Sequence, residues 1–136
     1  MEMQMEYIRK LPEPQELMEQ FPIDDSVKAI KAKRDEEIKD ILTGKDNRFL
    51  LIIGPCSADN EPAVLDYIHR LVKVQEQVKD KIFIIPRVYT SKPRTIGVGY
   101  KGMLHQPDPE GKEDMLGGII AIREMNARVV RETGFT

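Results

Sequence analysis

Two short stretches of this sequence hold most of the side chains able to do chemistry. The first, Gly54-Pro55-Cys56-Ser57-Ala58-Asp59, contains the only cysteine. A lone thiol has three readings: an inert buried group, a metal ligand or a nucleophile. The second stretch places Arg87, Lys92 and Arg94 within eight residues that include no acid. Arginine grips a carboxylate or phosphate through two parallel hydrogen bonds, and lysine adds a compact charge that can also hand over a proton. Thr95 adds a hydroxyl donor, and Pro93 stiffens the turn between them. This set suits a ligand that carries both carboxylate and phosphate groups. The plainer reading of the same cations is a solvated basic loop.

The remaining candidates carry less. His69 and His105 have no ligand-like spacing to Cys56, and there is no Cys-x-x-Cys. His69 falls in mid-helix, where a surface position is expected, and His105 falls in a long loop. No Gly-x-Ser-x-Gly turn supports a serine triad. Gly97, Gly99 and Gly102 suggest a phosphate loop, but they neither follow a strand directly nor open a helix.

Both stretches come just after strand-like runs. Phe49–Ile53 is an unbroken, β-branched apolar run, read as a strand buried on both faces. A second such run covers residues 82–85 and continues toward Tyr89. Between them, Asn60 and Pro62 open a helix over Glu61–Val78, with Val64, Leu65, Ile68, Leu71, Val72 and Val78 inward. A long loop over residues 90–114 precedes another helix over 118–132, which Gly134 ends. Upstream, Pro12 and Pro14 frame a short helix over Pro14–Gln20. Asp25 or Ser26 caps a longer one over 27–42, with Val27, Ile30, Ile38 and Ile41 on one face and a solvated Lys/Glu face opposite.

Strand, helix, strand and helix with continuous apolar strands predict a parallel α/β fold. In such folds, active sites form where strands end. A complete barrel of eight such units takes about 250 residues. The 136 residues therefore read as an incomplete α/β domain, stopping just after its second βα unit. Residues 1–45 read as an N-terminal arm and helix, and residues 46–136 as the first βα units.

Composition narrows the function classes. A net charge of −2, from 21 basic and 23 acidic residues, gives no electrostatic case for nucleic acid or an anionic membrane. The N-terminus carries acids where a signal peptide carries bases, and no apolar run approaches a membrane span. A single cysteine excludes an internal disulfide. A cytoplasmic protein is expected.

Ile53-Gly54-Pro55-Cys56-Ser57, then Arg87-Val88-Tyr89 and Lys92-Pro93-Arg94-Thr95, resembles the class I 3-deoxy-D-arabino-heptulosonate 7-phosphate synthases. Tyr100-Lys101-Gly102, Asp108-Pro109 and the N-terminal arm are also similar to that family, in the same order. The Lys-Pro-Arg-Thr form favours it over the sister octulosonate-phosphate synthases. The stretch from Thr95 to Lys101 is one residue longer than in one common family form. The resemblance implies the N-terminal part of a (β/α)8 TIM barrel that condenses phosphoenolpyruvate with erythrose 4-phosphate. It implies a divalent metal (Mn, Fe, Co or Zn) with Cys56 as one ligand. It places Arg87 and Lys92 on phosphoenolpyruvate, with Lys92 also at the aldehyde. Arg94 and Thr95 fall on the erythrose 4-phosphate phosphate, and Lys101 near the same pocket. An aromatic amino-acid effector and a homo-oligomer are further implications. The remaining metal ligands belong to later strands. A different class remains open, a small phosphate-binding or self-associating module without catalysis.

Overall fold

The computed structural model describes residues 7, 9–92 and 98–136. The elements run α1 (Pro14–Gln20), α2 (Asp25–Leu42), β1 (Phe49–Ile53), α3 (Glu61–Val78), β2 (Ile82–Pro86) and α4 (Met115–Thr133). β1 and β2 pair in parallel, with Phe49 opposite Ile82 and Ile53 opposite Pro86. The α3 helix makes the crossover that parallel pairing requires. The chain is thus mixed α/β, with a small parallel sheet whose β2 strand is packed against helices.

Polar side chains start the helices where the sequence offers them. The Asn60 side chain accepts from the Ala63 amide at 2.9 Å and opens α3. Asp114 accepts from the Gly117 amide at 3.1 Å and starts α4 three residues before the predicted 118, because the cap lies upstream of the Gly117-Gly118 pair. For α2 the cap is Asp24, not Asp25 or Ser26: its carboxylate accepts from the Val27 amide at 2.9 Å. Gly134 ends α4 at φ 71, in the left-handed region.

The apolar faces of α3 and α4 meet β2 in one core. Val64, Leu65, Ile68 and Leu71 pack with Ile84, Met125, Val129 and Phe135, and Ala58 and Met103 close it from the loops. β2 fits the expectation of a strand covered on both sides, since Phe83 and Ile84 are both buried. Phe83 lies under two cations, with the Arg34 guanidinium 4.2 Å and the Arg48 guanidinium 5.1 Å from its ring. β1 departs from that expectation. Phe49 is 66 % and Ile52 61 % exposed, because among the described residues only β2 flanks the strand.

The outer edge of β2 is closed by side chains. In the parallel register the Lys81 carbonyl and Arg87 amide turn toward β1, accepting from Phe49 and donating to Ile53. Alternate groups on Ile82 and Ile84 therefore face away. The Gln75 carboxamide, from α3, donates to the Ile82 carbonyl at 2.8 Å and accepts from the Ile84 amide at 2.7 Å. That is the pair of bonds one residue of a third parallel strand would make opposite Phe83. Arg34 Nη2 donates to the Ile84 carbonyl at 2.7 Å, and its Nε reaches Thr136 Oγ1 at 3.2 Å. Burial pulls the Arg34 pKa below its ordinary value, opposed by the charge of Glu37.

Two outcomes are expected. Gln75→Leu strands a buried amide and carbonyl and should cost about 1–3 kcal/mol in urea unfolding; an unchanged midpoint would show that the carboxamide is not the edge's partner. The second concerns acid. The Ser26 hydroxyl, then the Val27 amide, hold the Asp24 carboxyl at about 2. A folded-state pKa below the unfolded value of about 3.9 contributes stability that is full above that value and fades as pH falls through about 2. The melting-temperature gap between the native chain and Asp24→Ala should therefore be constant above about pH 4 and narrow between pH 4 and pH 2.

Candidate functional site at the strand ends

Parallel pairing brings the turns after β1 and β2 to one end of the sheet. The two turns are stitched together by backbone and side chain. Arg87 donates its amide to the Ile53 carbonyl at 2.8 Å, and the Ala58 amide donates to the Tyr89 carbonyl at 2.7 Å. Arg87 Nη1 donates to the Pro55 carbonyl at 2.8 Å and reaches the Cys56 carbonyl at 3.3 Å. Its guanidinium lies 4.6 Å from the centre of the Tyr89 ring. Arginine and tyrosine two residues apart on extended backbone share a side, as the Arg87-Val88-Tyr89 spacing requires.

Gly54 permits this closeness. A Cβ there would sit 2.0 Å from the Arg87 carbonyl oxygen, so no larger residue fits between the two chains. Gly102 has a matching role across the second loop. It pairs with Ser91 in an antiparallel bridge at φ +102, and a Cβ would lie 2.5 Å from the Thr90 carbonyl oxygen. The Lys92 amide donates to the Lys101 carbonyl at 2.9 Å, which sets these two lysines side by side on the backbone.

The structure brings Arg87 against the Cys56 turn, and Lys92 beside Lys101 in the loop that follows β2. Cys56 is exposed, which removes the buried-thiol reading and leaves the sulfur accessible. Lys101 Nζ pairs with Glu113 Oε1 at 2.9 Å, and the Lys101 ammonium holds the Glu113 carboxyl below its usual range. Among the described residues Lys92 has no ion-pair partner and is half-buried. Arg94 and Thr95 lie outside the described residues, as does Gly97. His69 lies on α3 at the surface, its Nε2 3.6 Å from Glu132, and His105 lies in the long loop, its amide donating to the Gly102 carbonyl at 3.1 Å. Among the described residues no three of His, Cys, Asp and Glu gather as a metal site.

Some features escaped the sequence. Glu113 lies twelve residues beyond Lys101 with no periodicity to link them. The Tyr100 phenol is pushed up by burial and then by the charge of Asp59. Only the Arg87-x-Tyr89 spacing offered a legible signal for the ring beneath the guanidinium.

Residues 20–124 match the DAHP synthetase I family, and the chain belongs to it. It is 37 % identical over 122 residues to the phenylalanine-inhibited phospho-2-dehydro-3-deoxyheptonate aldolase of Saccharomyces cerevisiae, covering 90 % of this chain and 33 % of that protein. It is 35 % identical over 118 residues to the aldolase of the same name from Amycolatopsis methanolica, covering 87 % and 58 %. The solved structure of the Francisella tularensis SCHU S4 aldolase superposes with a TM-score of 0.88 at 26 % identity, covering 97 % of this chain and 38 % of that one. The chain thus spans about a third of the yeast and Francisella proteins and 58 % of the Amycolatopsis one.

Gly54→Ala tests the stitch. The added methyl must push Arg87 away, and the cost should reach the upper end of overpacking, about 3 kcal/mol in urea unfolding. A variant as stable as the native chain would mean that the two turns are not held this close.

Proposed function

We propose that the protein carrying this chain condenses phosphoenolpyruvate with erythrose 4-phosphate. The observation that carries this reading is the stitched pair of turns, with Arg87 against the Cys56 turn and Lys92 and Lys101 paired in the loop after β2, in a member of this family. Residues 46–136 then supply the first two βα units of a (β/α)8 barrel, and residues 1–45 an arm that serves oligomer assembly or regulation. The relatives include phenylalanine-inhibited, Trp-sensitive and Tyr-sensitive aldolases, which supports an aromatic amino acid as effector here. No helix among the described residues is long and apolar enough to cross a membrane, in keeping with work in the cytoplasm.

Two anionic substrates must meet, which needs a cationic pocket. Arg87 and Lys92 hold phosphoenolpyruvate. Arg94 and Thr95 hold the phosphate of erythrose 4-phosphate, with Lys101 beside them. The enol carbon attacks the aldehyde carbon, and the aldehyde oxygen takes a proton that Lys92 is placed to give. Water adds to the former enol carbon, and the bond from that carbon to the phosphate oxygen breaks to release phosphate. An exposed thiol fits one ligand position of a borderline divalent metal (Mn, Fe, Co or Zn). The ion needs further ligands from residues outside this chain, and when bound it would polarise a carbonyl oxygen.

The full-length protein, supplied with Mn²⁺, should release phosphate from phosphoenolpyruvate only when erythrose 4-phosphate is present. Lys92→Ala should lower kcat about 10²–10⁴-fold, and Cys56→Ala should weaken metal binding. Binding of inorganic phosphate without turnover would instead favour a non-catalytic binding module.

A further inference from the structure

We propose that Tyr89 is a positioning residue for this site, its ring holding the Arg87 guanidinium where it grips the cysteine turn and faces an incoming anion. The inference rests on the reading of Cys56 and Arg87 as parts of one site. Arginine is a long side chain with costly rotamer freedom, and a ring beneath its plane removes much of that freedom. Here the guanidinium is fixed from two directions. The Tyr89 ring lies 4.6 Å beneath it, and the Pro55 and Cys56 carbonyls take bonds from Nη1 at 2.8 and 3.3 Å. Nη1 alone makes both of those bonds. Among the described residues Nε and Nη2 keep three N–H donors, and their shared edge has the geometry for a two-point grip on a carboxylate or phosphate.

The same tyrosine closes the turn from its backbone, through the carbonyl that accepts from the Ala58 amide. Cys56 therefore lies between two anchors that both lead to Tyr89. The ring acts through its face rather than its hydroxyl, so phenylalanine should replace it and an aliphatic residue should not.

The test uses the full-length protein and two readouts. The first is the rate at which iodoacetamide modifies Cys56, followed on its own peptide. The second is KM for phosphoenolpyruvate set against kcat. Tyr89→Leu should speed modification of Cys56 about three- to tenfold and raise that KM by a similar factor, with kcat changed less. Tyr89→Phe should match the native protein in both. Arg87→Met should speed modification as Tyr89→Leu does, and the double variant should add nothing, because the two residues act in series. Should Tyr89→Leu not fold, Tyr89→Met keeps bulk without a ring and carries the same expectation. Modification within twofold of native in Tyr89→Leu or Tyr89→Met would overturn the proposal. So would a Tyr89→Phe protein as impaired as the leucine variant. A native protein inert toward phosphoenolpyruvate would sink the synthase reading alone, since the thiol readout needs no turnover.

Discussion

The parallel pairing of β1 with β2 is the constraint on which the rest depends. Five consecutive residue pairs, from Phe49 opposite Ile82 to Ile53 opposite Pro86, fix both strand ends at one level. An antiparallel pair would have put Cys56 and Arg87 at opposite ends. Parallel strands need a long crossover, and α3 supplies it while burying Val64, Leu65, Ile68 and Leu71 against Ile84. The core thus exists to hold two turns side by side, and the absence of a Cβ at Gly54 lets them touch. Positioning and packing are one construction.

Much of this was legible in the residues. The helices announced themselves through Asn60, Pro62 and Gly134 and through their apolar spacing. The residues 82–85 run behaves as read, because α3 covers one side of it and Arg34 and Arg48 cover Phe83. Start points were less legible where several acids compete to cap. Asp24 wins over Asp25 and Ser26 because its extended backbone aims the carboxylate back at the Val27 amide. The Phe49–Ile53 run is as apolar as the second run yet keeps Phe49 and Ile52 exposed. Periodicity records what a strand can bury, while burial depends on which neighbours are present.

The site was legible as two separate lists and illegible as a contact map. Cys56, Arg87 and Lys92 could be singled out by type and position, and Lys101 through the family resemblance. The bonds that assemble them run between backbone carbonyls and side chains that have no sequence signature, such as Arg87 to Pro55 or Lys101 to Glu113. Gln75 is the sharpest instance. A polar residue on the Glu61–Val78 helix reads as solvated, but its carboxamide takes the place of a strand residue beside Ile82 and Ile84. A side chain able to donate and accept at once can satisfy a sheet edge that a charged group could not.

The state of the cations follows from the same economy of donors. An arginine and a lysine facing no partner at one sheet end would repel each other and float in solvent. Here Lys101 is neutralised by Glu113 in an exposed pair, of the weak kind that surface ion pairs are. Arg87 spends only Nη1 on neutral carbonyls, so its charge is located without being cancelled. Lys92, beside Lys101 on the backbone, keeps its charge free of any ion pair among the described residues. The three therefore differ in how their charge is held: one is located by bonds from Nη1, one has no ion pair among the described residues, and one is bound to a carboxylate.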